Sequence, residues 1–186
     1  MRPKKFATDN ARDIGLIKHA LRWFKRNENF YPDYLVFLRP TTPLRNVQVV
    51  DSAISEIIKD KKATALRSGH LFGASAYKLF KKKGDYAEFF GREDFKPGVE
   101  YQDFPRQKLP TTYKTNGYVD VLLSKTIERT GKLHGKKIRA FITEEVADID
   151  SLRDLGFAKQ ILRNKEYSSL IDLLKKIKRS QKSNKK

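Results

Sequence analysis

A short apolar run between two amphipathic segments is the feature that most limits the folds open to this chain. The run YLVFL, at 34–38, is apolar on both faces, as in a central strand of a parallel sheet covered by helices. Residues 10–26 and 46–60, on either side of it, carry apolar side chains at helical spacing. ATALRS at 63–68 then predicts a second buried strand. Helix, strand, helix, strand indicates an α/β fold, and the doubly apolar strand indicates a mostly parallel sheet flanked by helices.

The middle of the chain interrupts this alternation. Apolar and polar residues alternate around Gly84 and Asp85, which is a hairpin signal, and a proline-rich extended stretch follows. The segment 72–112 is therefore expected to protrude as a dimerisation or substrate-cap element. The runs NGYVDVLLS and IRAFITEEVADID then predict two more strands.

Capping residues mark the start of two predicted helices. Asp9 or Asn10 is a candidate N-cap for the first helix. Ser151 and Asp154 resemble a capping box and precede a further helical repeat. A last helix is predicted over 168–177.

The chain is expected to form one domain over 1–174 followed by a basic tail, 175–186. Its 186 residues suffice for one sizeable core, and the absence of cysteine excludes disulfides and thiolate chemistry. No apolar run approaches the roughly 20 residues of a membrane helix, and the N-terminus has no signal-peptide core. The sequence therefore predicts a cytoplasmic protein without a membrane partner.

The net charge of +18 raises the alternative of a nucleic-acid-binding module. The tail alone supplies 7 of the 40 basic residues, and the remaining 33 against 22 acidic residues leave +11, which is spread along the chain. No zinc-finger spacing, RRM-like motif or basic region joined to heptads is present. A lysine-rich surface explains the charge as well, so nucleic acid is the less favoured partner.

The loop LRPTTPLR follows the first predicted strand directly. Pro40 and Pro43 fix φ and restrict the residues before them, so the loop is held in shape. Four side chains give it donors for an anionic ligand: Arg39, Thr41, Thr42 and Arg45. The alternative is an ordinary proline-rich turn with solvated arginines.

Two carboxylates end the last predicted strand. Asp148 and Asp150 are two residues apart in an extended segment, so they project to one side, at the edge where open α/β sheets bind ligands. Hard oxygen ligands at this position suit Mg²⁺ bridging a nucleoside triphosphate. Alternatively, Asp150 belongs to the helix cap and Asp148 is a surface acid.

A kinked segment before the third predicted strand supplies further polar groups. Arg106, Gln107, Lys114 and Asn116 lie around it, and guanidinium and amide groups of this kind can hold a carboxylate. The alternative is that Asn116 and Gly117 simply form a turn. The sequence has no Walker loop, nucleophile elbow or G-x-G-x-x-G motif.

Taken in order, these segments resemble the acylneuraminate cytidylyltransferases, the CMP-sialic acid synthetases and their relatives for legionaminic-type acids. Five stretches carry the resemblance, which covers nearly all of residues 2–162: RPKKFATDN, HALRWF, LRPTTPLR, PRQKLPTTYKTNGYVDV and DIDSLRDLGFA. The resemblance implies a partial Rossmann-like fold of the nucleotide-diphospho-sugar transferase type. It also implies transfer of CMP from CTP to a nonulosonic sugar acid with Mg²⁺ and release of pyrophosphate. By the same resemblance, a homodimer is expected to form through 72–112.

The resemblance also implies the roles of individual residues. Asp148 and Asp150 would hold the metal. Arg106 and Lys78 would neutralise the carboxylate of the sugar acid. The sugar and the pocket wall would be contacted by Arg39, Thr41, Thr42, Gln107 and Asn116. Arginine at position 39, where many sialic-acid enzymes have glutamine, leaves the identity of the sugar acid open.

One family element has no counterpart in the sequence. Members open with a strand and a basic loop, R-x-G-S-K-x-x-P-x-K-N, that grips the CTP phosphates, and Met1 falls after the family's third strand. The expectation is an N-terminally truncated member with an open apolar sheet edge at 34–38. Two hypotheses follow: a cytidylyltransferase, or a non-catalytic relative that binds the sugar acid, a nucleotide or a full-length partner.

Overall fold

The computed structural model describes residues 3–8, 10–163 and 167–183, apart from the side chains of 179 and 181–183. Within these residues there are five α-helices: α1 (Asp13–Asn27), α2 (Val47–Lys59), α3 (Ser124–Thr130), α4 (Leu152–Ile161) and α5 (Ser168–Ser183). The same residues form six strands: β1 (Tyr34–Phe37), β2 (Ala65–Leu71), β3 (Phe80–Lys83), β4 (Tyr86–Phe89), β5 (Tyr113–Leu123) and β6 (Ile138–Ile142).

The fold is α/β, as predicted, but the main sheet is mixed. Its strand order is β1-β5-β2-β6, and β5 runs antiparallel to both of its neighbours while β2 and β6 are parallel. The prediction of a mostly parallel sheet is wrong, because β5 inserts between β1 and β2 in the opposite direction. The apolar composition of a strand reports that both faces are buried, and it does not report the direction of the neighbouring strand. β1, β2 and β6 still share one direction, because β1 and β2 both run antiparallel to β5 and β6 runs parallel to β2.

Helices cover both faces of this sheet. On one face, Ile57 of α2 packs with Val119 of β5. On the other face, Leu21 of α1 and Ile127 of α3 pack with Leu122 of β5. Alternate residues of β5 thus pack into the two cores on opposite faces of the sheet. From Asp120 onward, its even-numbered residues point toward α1 and α3. Among the described strands, β1 is bounded by β5 on one side only. This agrees with the expected open sheet edge at 34–38 and differs from the central position indicated by the apolar composition of the strand.

The hairpin predicted around Gly84 and Asp85 is confirmed as β3 and β4. Gly84 has φ of +59°, which suits the tight connection, and Phe80 opposes Phe89 across the pair. The hairpin forms a separate two-stranded sheet with mostly exposed residues. Beyond it, Tyr101 is 1% exposed and stacks on Phe95, which anchors the extended stretch.

Two helix starts differ in how well the sequence predicts them. The capping box of α4 is confirmed, because Ser151 and Asp154 each bond the backbone of the other. The first helix begins three residues later than predicted, with Arg12 at the N-cap and no side-chain cap, so Asn10 does not cap it. Asp9, the other candidate, lies outside the described residues. Helix α3 was not predicted, because its seven residues are too few to give a clear apolar period.

The C-terminal helices pack on the loops of the sheet edge. Leu170 at the start of α5 joins a cluster with Ala158 of α4, Leu44 and Ala147. Helix α5 continues to Ser183, beyond the predicted end at 177, so much of the basic tail is helical. None of the described helices is both long enough and apolar enough to cross a membrane.

Candidate functional site

The candidate site lies at one edge of the main sheet. The shared direction of β1, β2 and β6 brings their carboxyl ends to the edge where β5 begins. The proline loop after β1 and the extended segment 143–150 after β6 meet there, because the N–H of Ile149 donates to the carbonyl of Thr41 at 2.7 Å. This is the edge at which open α/β sheets bind ligands.

Thr42 joins three distant parts of the chain at this edge. Its side chain is fully buried, and its Oγ1 lies 3.3 Å from the carbonyl oxygen of Asn116 and 3.3 Å from Oδ1 of Asp148. A hydroxyl has one hydrogen, so it donates to one of these acceptors at a time. The proline loop, the start of β5 and the acidic segment are therefore fixed to a common point.

Gly117 makes this close approach possible. Its φ is +64°, and a Cβ at this position would lie 2.9 Å from Cδ of Arg39 and 3.2 Å from Oγ1 of Thr42. The side chains of the proline loop thus pack directly against the Cα of Gly117. Glycine is required here both for its backbone conformation and for its missing side chain.

Asn116 organises a bulge in β5. The register with β2 shifts here, so that Ser68 alone faces residues 116–119. Oδ1 of Asn116 accepts from the Ser68 hydroxyl at 2.8 Å and from the Tyr118 N–H at 3.2 Å, while its Nδ2 donates to Oγ1 of Thr143 at 2.7 Å. Asn116 is thus engaged inside the protein. Sequence reasoning missed Ser68 and Thr143, although a serine at the end of the apolar run ATALRS is a weak signal.

Arg45 fastens the proline loop to β5. Its guanidinium donates to the carbonyls of Tyr118 at 2.6 Å, Arg39 at 2.7 Å and Gly117 at 3.1 Å. Burial lowers the pKa of Arg45 below its ordinary value, and attraction to Tyr118 and Asp148 opposes this shift. The side chain expected to donate to an anion instead holds three backbone carbonyls.

A group of ionisable side chains lies behind the loop, on the face covered by α1 and α3. Arg39 pairs with Asp13 at 2.9 Å and lies 3.9 Å from the carboxylate of Asp120, which is 2% exposed. Arg67 and His134 each approach the same carboxylate to 3.7 Å. Neither oxygen of Asp120 has a hydrogen-bond partner among the described residues. We call these five residues the Asp120 cluster.

Arg106 and Gln107 line a different cavity. The cavity has a volume of about 380 Å³. Its wall includes Ser75, near the start of the protruding segment, and Thr112, at its end. Lys78 donates from Nζ to the carbonyl of Gln102 at 2.6 Å, within the protruding segment. The predicted carboxylate-binding residues therefore do not join the Thr42 contacts.

The two acidic residues differ in exposure. Asp148 is half-buried against Thr42, whereas Asp150 is exposed just before α4. Among the described residues, no group of three or more His, Cys, Asp or Glu side chains could hold a metal ion. Mg²⁺ commonly binds one or two carboxylates together with substrate phosphates and water. Asp148 already has one carboxylate oxygen on the Thr42 hydroxyl, and the Asp150 carboxylate is the more accessible of the two.

Comparison with known proteins adds no assignment. No protein-family model matches the chain, and no curated protein matches it. The resemblance to the cytidylyltransferases therefore remains a prediction based on sequence motifs. The structure adds that Thr42 contacts both Asn116 and Asp148, and that these three residues come from three of those motifs.

Proposed function

We propose that the chain acts as a nucleotidyltransferase of the acylneuraminate cytidylyltransferase type, forming a CMP-sugar from CTP and a nonulosonic acid. The observation that carries this proposal is the contact of Thr42 with both Asn116 and Asp148 at the edge of the sheet where β1, β2 and β6 end. A rigid proline loop joined to an acidic segment is a wall against which a nucleotide and a sugar acid can be aligned.

In this reaction the hydroxyl on the anomeric carbon of the sugar acid attacks the α-phosphorus of CTP. The bond from that phosphorus to the bridging oxygen breaks, pyrophosphate leaves with the bonding electrons, and the hydroxyl proton passes to solvent. The residues of the chain orient the reactants and balance their charge. Asp148 and Asp150 would hold Mg²⁺, which supplies charge neutralisation for the triphosphate when bound.

The cavity beside β2 is the proposed position for the carboxylate of the sugar acid. Arg106 and Gln107 line it together with the hydroxyl-bearing Thr111 and Thr112. A guanidinium that binds a carboxylate through two parallel hydrogen bonds fixes both its position and its orientation. Lys78 is less suited to this role, because its amino group already contacts a backbone carbonyl.

Release of pyrophosphate tests this proposal directly. The full chain is incubated with CTP, Mg²⁺ and, in turn, sialic, legionaminic and pseudaminic acid. We expect release with at least one acid and a loss of about a hundredfold or more in Asp148→Asn, because the metal loses a ligand. Glu145→Gln is the matched control, since it removes an exposed carboxylate from the same segment and should keep full activity. Equal activity of the two variants would contradict the role of Asp148.

A second candidate is binding without transfer. Polar groups expected to contact the sugar are engaged inside the protein: Arg39 with Asp13, Asn116 with Ser68 and Thr143, and Lys78 with Gln102. Calorimetry separates the two functions. Binding of CTP or a sugar acid by a folded chain that releases no pyrophosphate would support this candidate and reject the first.

A further inference from the structure

Helix α5 leaves the body of the protein after its first turn. Leu170 packs in the cluster that contains Ala158 of α4. Beyond it, Leu173, Leu174 and Ile177 are 54%, 52% and 43% exposed. Residues three, four and seven positions after Leu170 lie on the same side of a helix as Leu170. The side of α5 that packs at its start therefore continues as an exposed apolar stripe, formed by Leu173, Leu174 and Ile177.

The charges of α5 are strongly unequal. Its sequence holds five basic residues and one acidic residue, Asp172, and the basic ones are Lys175, Lys176, Lys178, Arg179 and Lys182. Lys178 lies one helical turn after Leu174, next to the apolar stripe. Lysine can extend along an apolar surface while its amino group remains in a polar layer.

We propose that α5 binds an anionic membrane surface. The apolar stripe would enter the boundary between headgroups and acyl chains, and the lysines would contact the phosphate and carboxylate groups of acidic lipids. Lying on a membrane does not require the apolar length that spanning one requires, so the inference is consistent with the absence of a spanning helix among those described. It changes the expectation of no membrane partner, which considered only spanning segments.

Charge and apolarity together favour this partner over two others. A nucleic-acid backbone would use the lysines but would leave Leu173, Leu174 and Ile177 in water. A second copy of α5 would cover the apolar stripe but would bring two sets of five basic residues together. An acidic lipid surface satisfies both features of the helix. The inference rests on α5 alone and is independent of the proposed transfer reaction.

Flotation with lipid vesicles tests the inference on the full chain. We expect binding to vesicles of phosphatidylcholine with about a third phosphatidylserine, and little binding to phosphatidylcholine alone, because the attraction depends on surface charge. Leu174→Asp should weaken binding by at least about tenfold through loss of the apolar stripe and added repulsion.

The contribution of charge needs a matched pair of variants. Lys176→Glu with Lys178→Glu should weaken binding by at least about tenfold, and this pair of changes leaves the contact of Lys175 with Asp172 in place. Lys61→Glu with Lys62→Glu makes the same change in net charge at exposed positions between α2 and β2, and should bind far more like the unaltered chain. Circular dichroism should show the same helix content in all variants, since every altered side chain is exposed.

Three results would overturn the inference. The first is that the folded chain fails to bind the phosphatidylserine vesicles. The second is that Leu174→Asp binds them as well as the unaltered chain while duplex DNA displaces both, which would indicate a general polyanion site. The third is that Leu174→Asp halves the mass measured by light scattering without vesicles, which would assign the stripe to a second copy.

Discussion

Asp120 is the residue on which the charge balance behind the site depends. Its carboxylate is almost fully buried and lies within 3.9 Å of Arg39 and 3.7 Å of Arg67. Removing one partner of a buried charge group leaves the others without compensation. The prediction concerns the free energy of unfolding, measured by urea denaturation.

Asp120→Asn should lower that free energy by about 2 kcal/mol, less than for fully buried partners because the arginines are partly exposed. Asp13→Asn is the matched control, since it removes the partner of Arg39 at a half-exposed position and should cost less than about 1 kcal/mol. An equal or smaller loss in Asp120→Asn would mean that the buried carboxylate of Asp120 contributes no more stability than the half-exposed ion pair of Asp13 with Arg39.

Alanine substitutions at Gly117 and Gly84 separate two costs in unfolding free energy: that of a strained backbone conformation and that of a close side-chain contact. Gly117→Ala forces a Cβ into the αL region and against the side chains of Arg39 and Thr42. Gly84→Ala has a similar φ, +59°, but meets no atom within 4 Å. Gly84→Ala should therefore cost about 1 kcal/mol of unfolding free energy, and Gly117→Ala clearly more. The same thermal denaturation experiment on both variants checks this, and equal costs would mean that the loop does not rest on Gly117.

At the scale of the element, the start of α4 gives a prediction for pH. The hydroxyl of Ser151, followed by the N–H groups of Asp150 and Ser151, lowers the pKa of Asp154 below its ordinary value. The ionised carboxylate is the stabilising form. Its contribution to the helix start is therefore complete above the ordinary carboxyl pKa of about 3.9, and it is lost as pH falls through the lowered pKa.

Ser151→Ala should move the pKa of Asp154 back toward its ordinary value, because the largest cause of the shift is removed. Titration of the Asp154 carboxyl by NMR checks this. Asp60 serves as the internal control: its pKa is lowered mainly by the backbone N–H of Lys62, outside this helix, and should be the same in both proteins. An unchanged Asp154 midpoint would show that the capping box does not hold in solution.

Elements with local signals could be predicted from the sequence, and their pairing could not. The hairpin at Gly84 and the capping box at Ser151 are determined by residues close in sequence. By contrast, YLVFL and VDVLL both indicate buried strands and contain nothing that fixes their relative direction. Their antiparallel pairing depends on which strand inserts between β1 and β2. The amino-acid composition of the two strands does not indicate whether they pair parallel or antiparallel.

At the scale of the whole molecule, the protruding segment provides a test of assembly. By resemblance, residues 72–112 are expected to form a homodimer. Tyr86 is 82% exposed and Phe80 57% exposed on the β3–β4 hairpin, so both are available for a partner. Tyr86→Asp should then halve the mass measured by light scattering at moderate concentration, while Leu174→Asp on α5 should leave it unchanged. A monomeric unaltered chain would contradict the expectation.

The positions of some candidate site residues could be predicted from the sequence. Thr42 and Asp148 lie at the expected sheet edge because strand ends are placed by the alternation of elements. The roles of Ser68, Arg45 and Asp120 were not foreseen, since they arise from the bulge in β5 and the strand pairing around it. In the sequence, Asp120 is only a single polar residue within an apolar strand, and nothing there indicates that it is buried among Arg39, Arg67 and His134.

The most direct test of the central claim is hydrogen–deuterium exchange of the full chain with and without CTP, Mg²⁺ and a nonulosonic acid. The claim is that both ligands bind at the edge where β1, β2 and β6 end. It predicts slower exchange in 39–45, 106–118 and 143–151, with the β3–β4 hairpin turn unchanged by ligand at a fixed oligomeric state. Unchanged exchange at all three segments of a folded chain, or protection confined to another region, would contradict it.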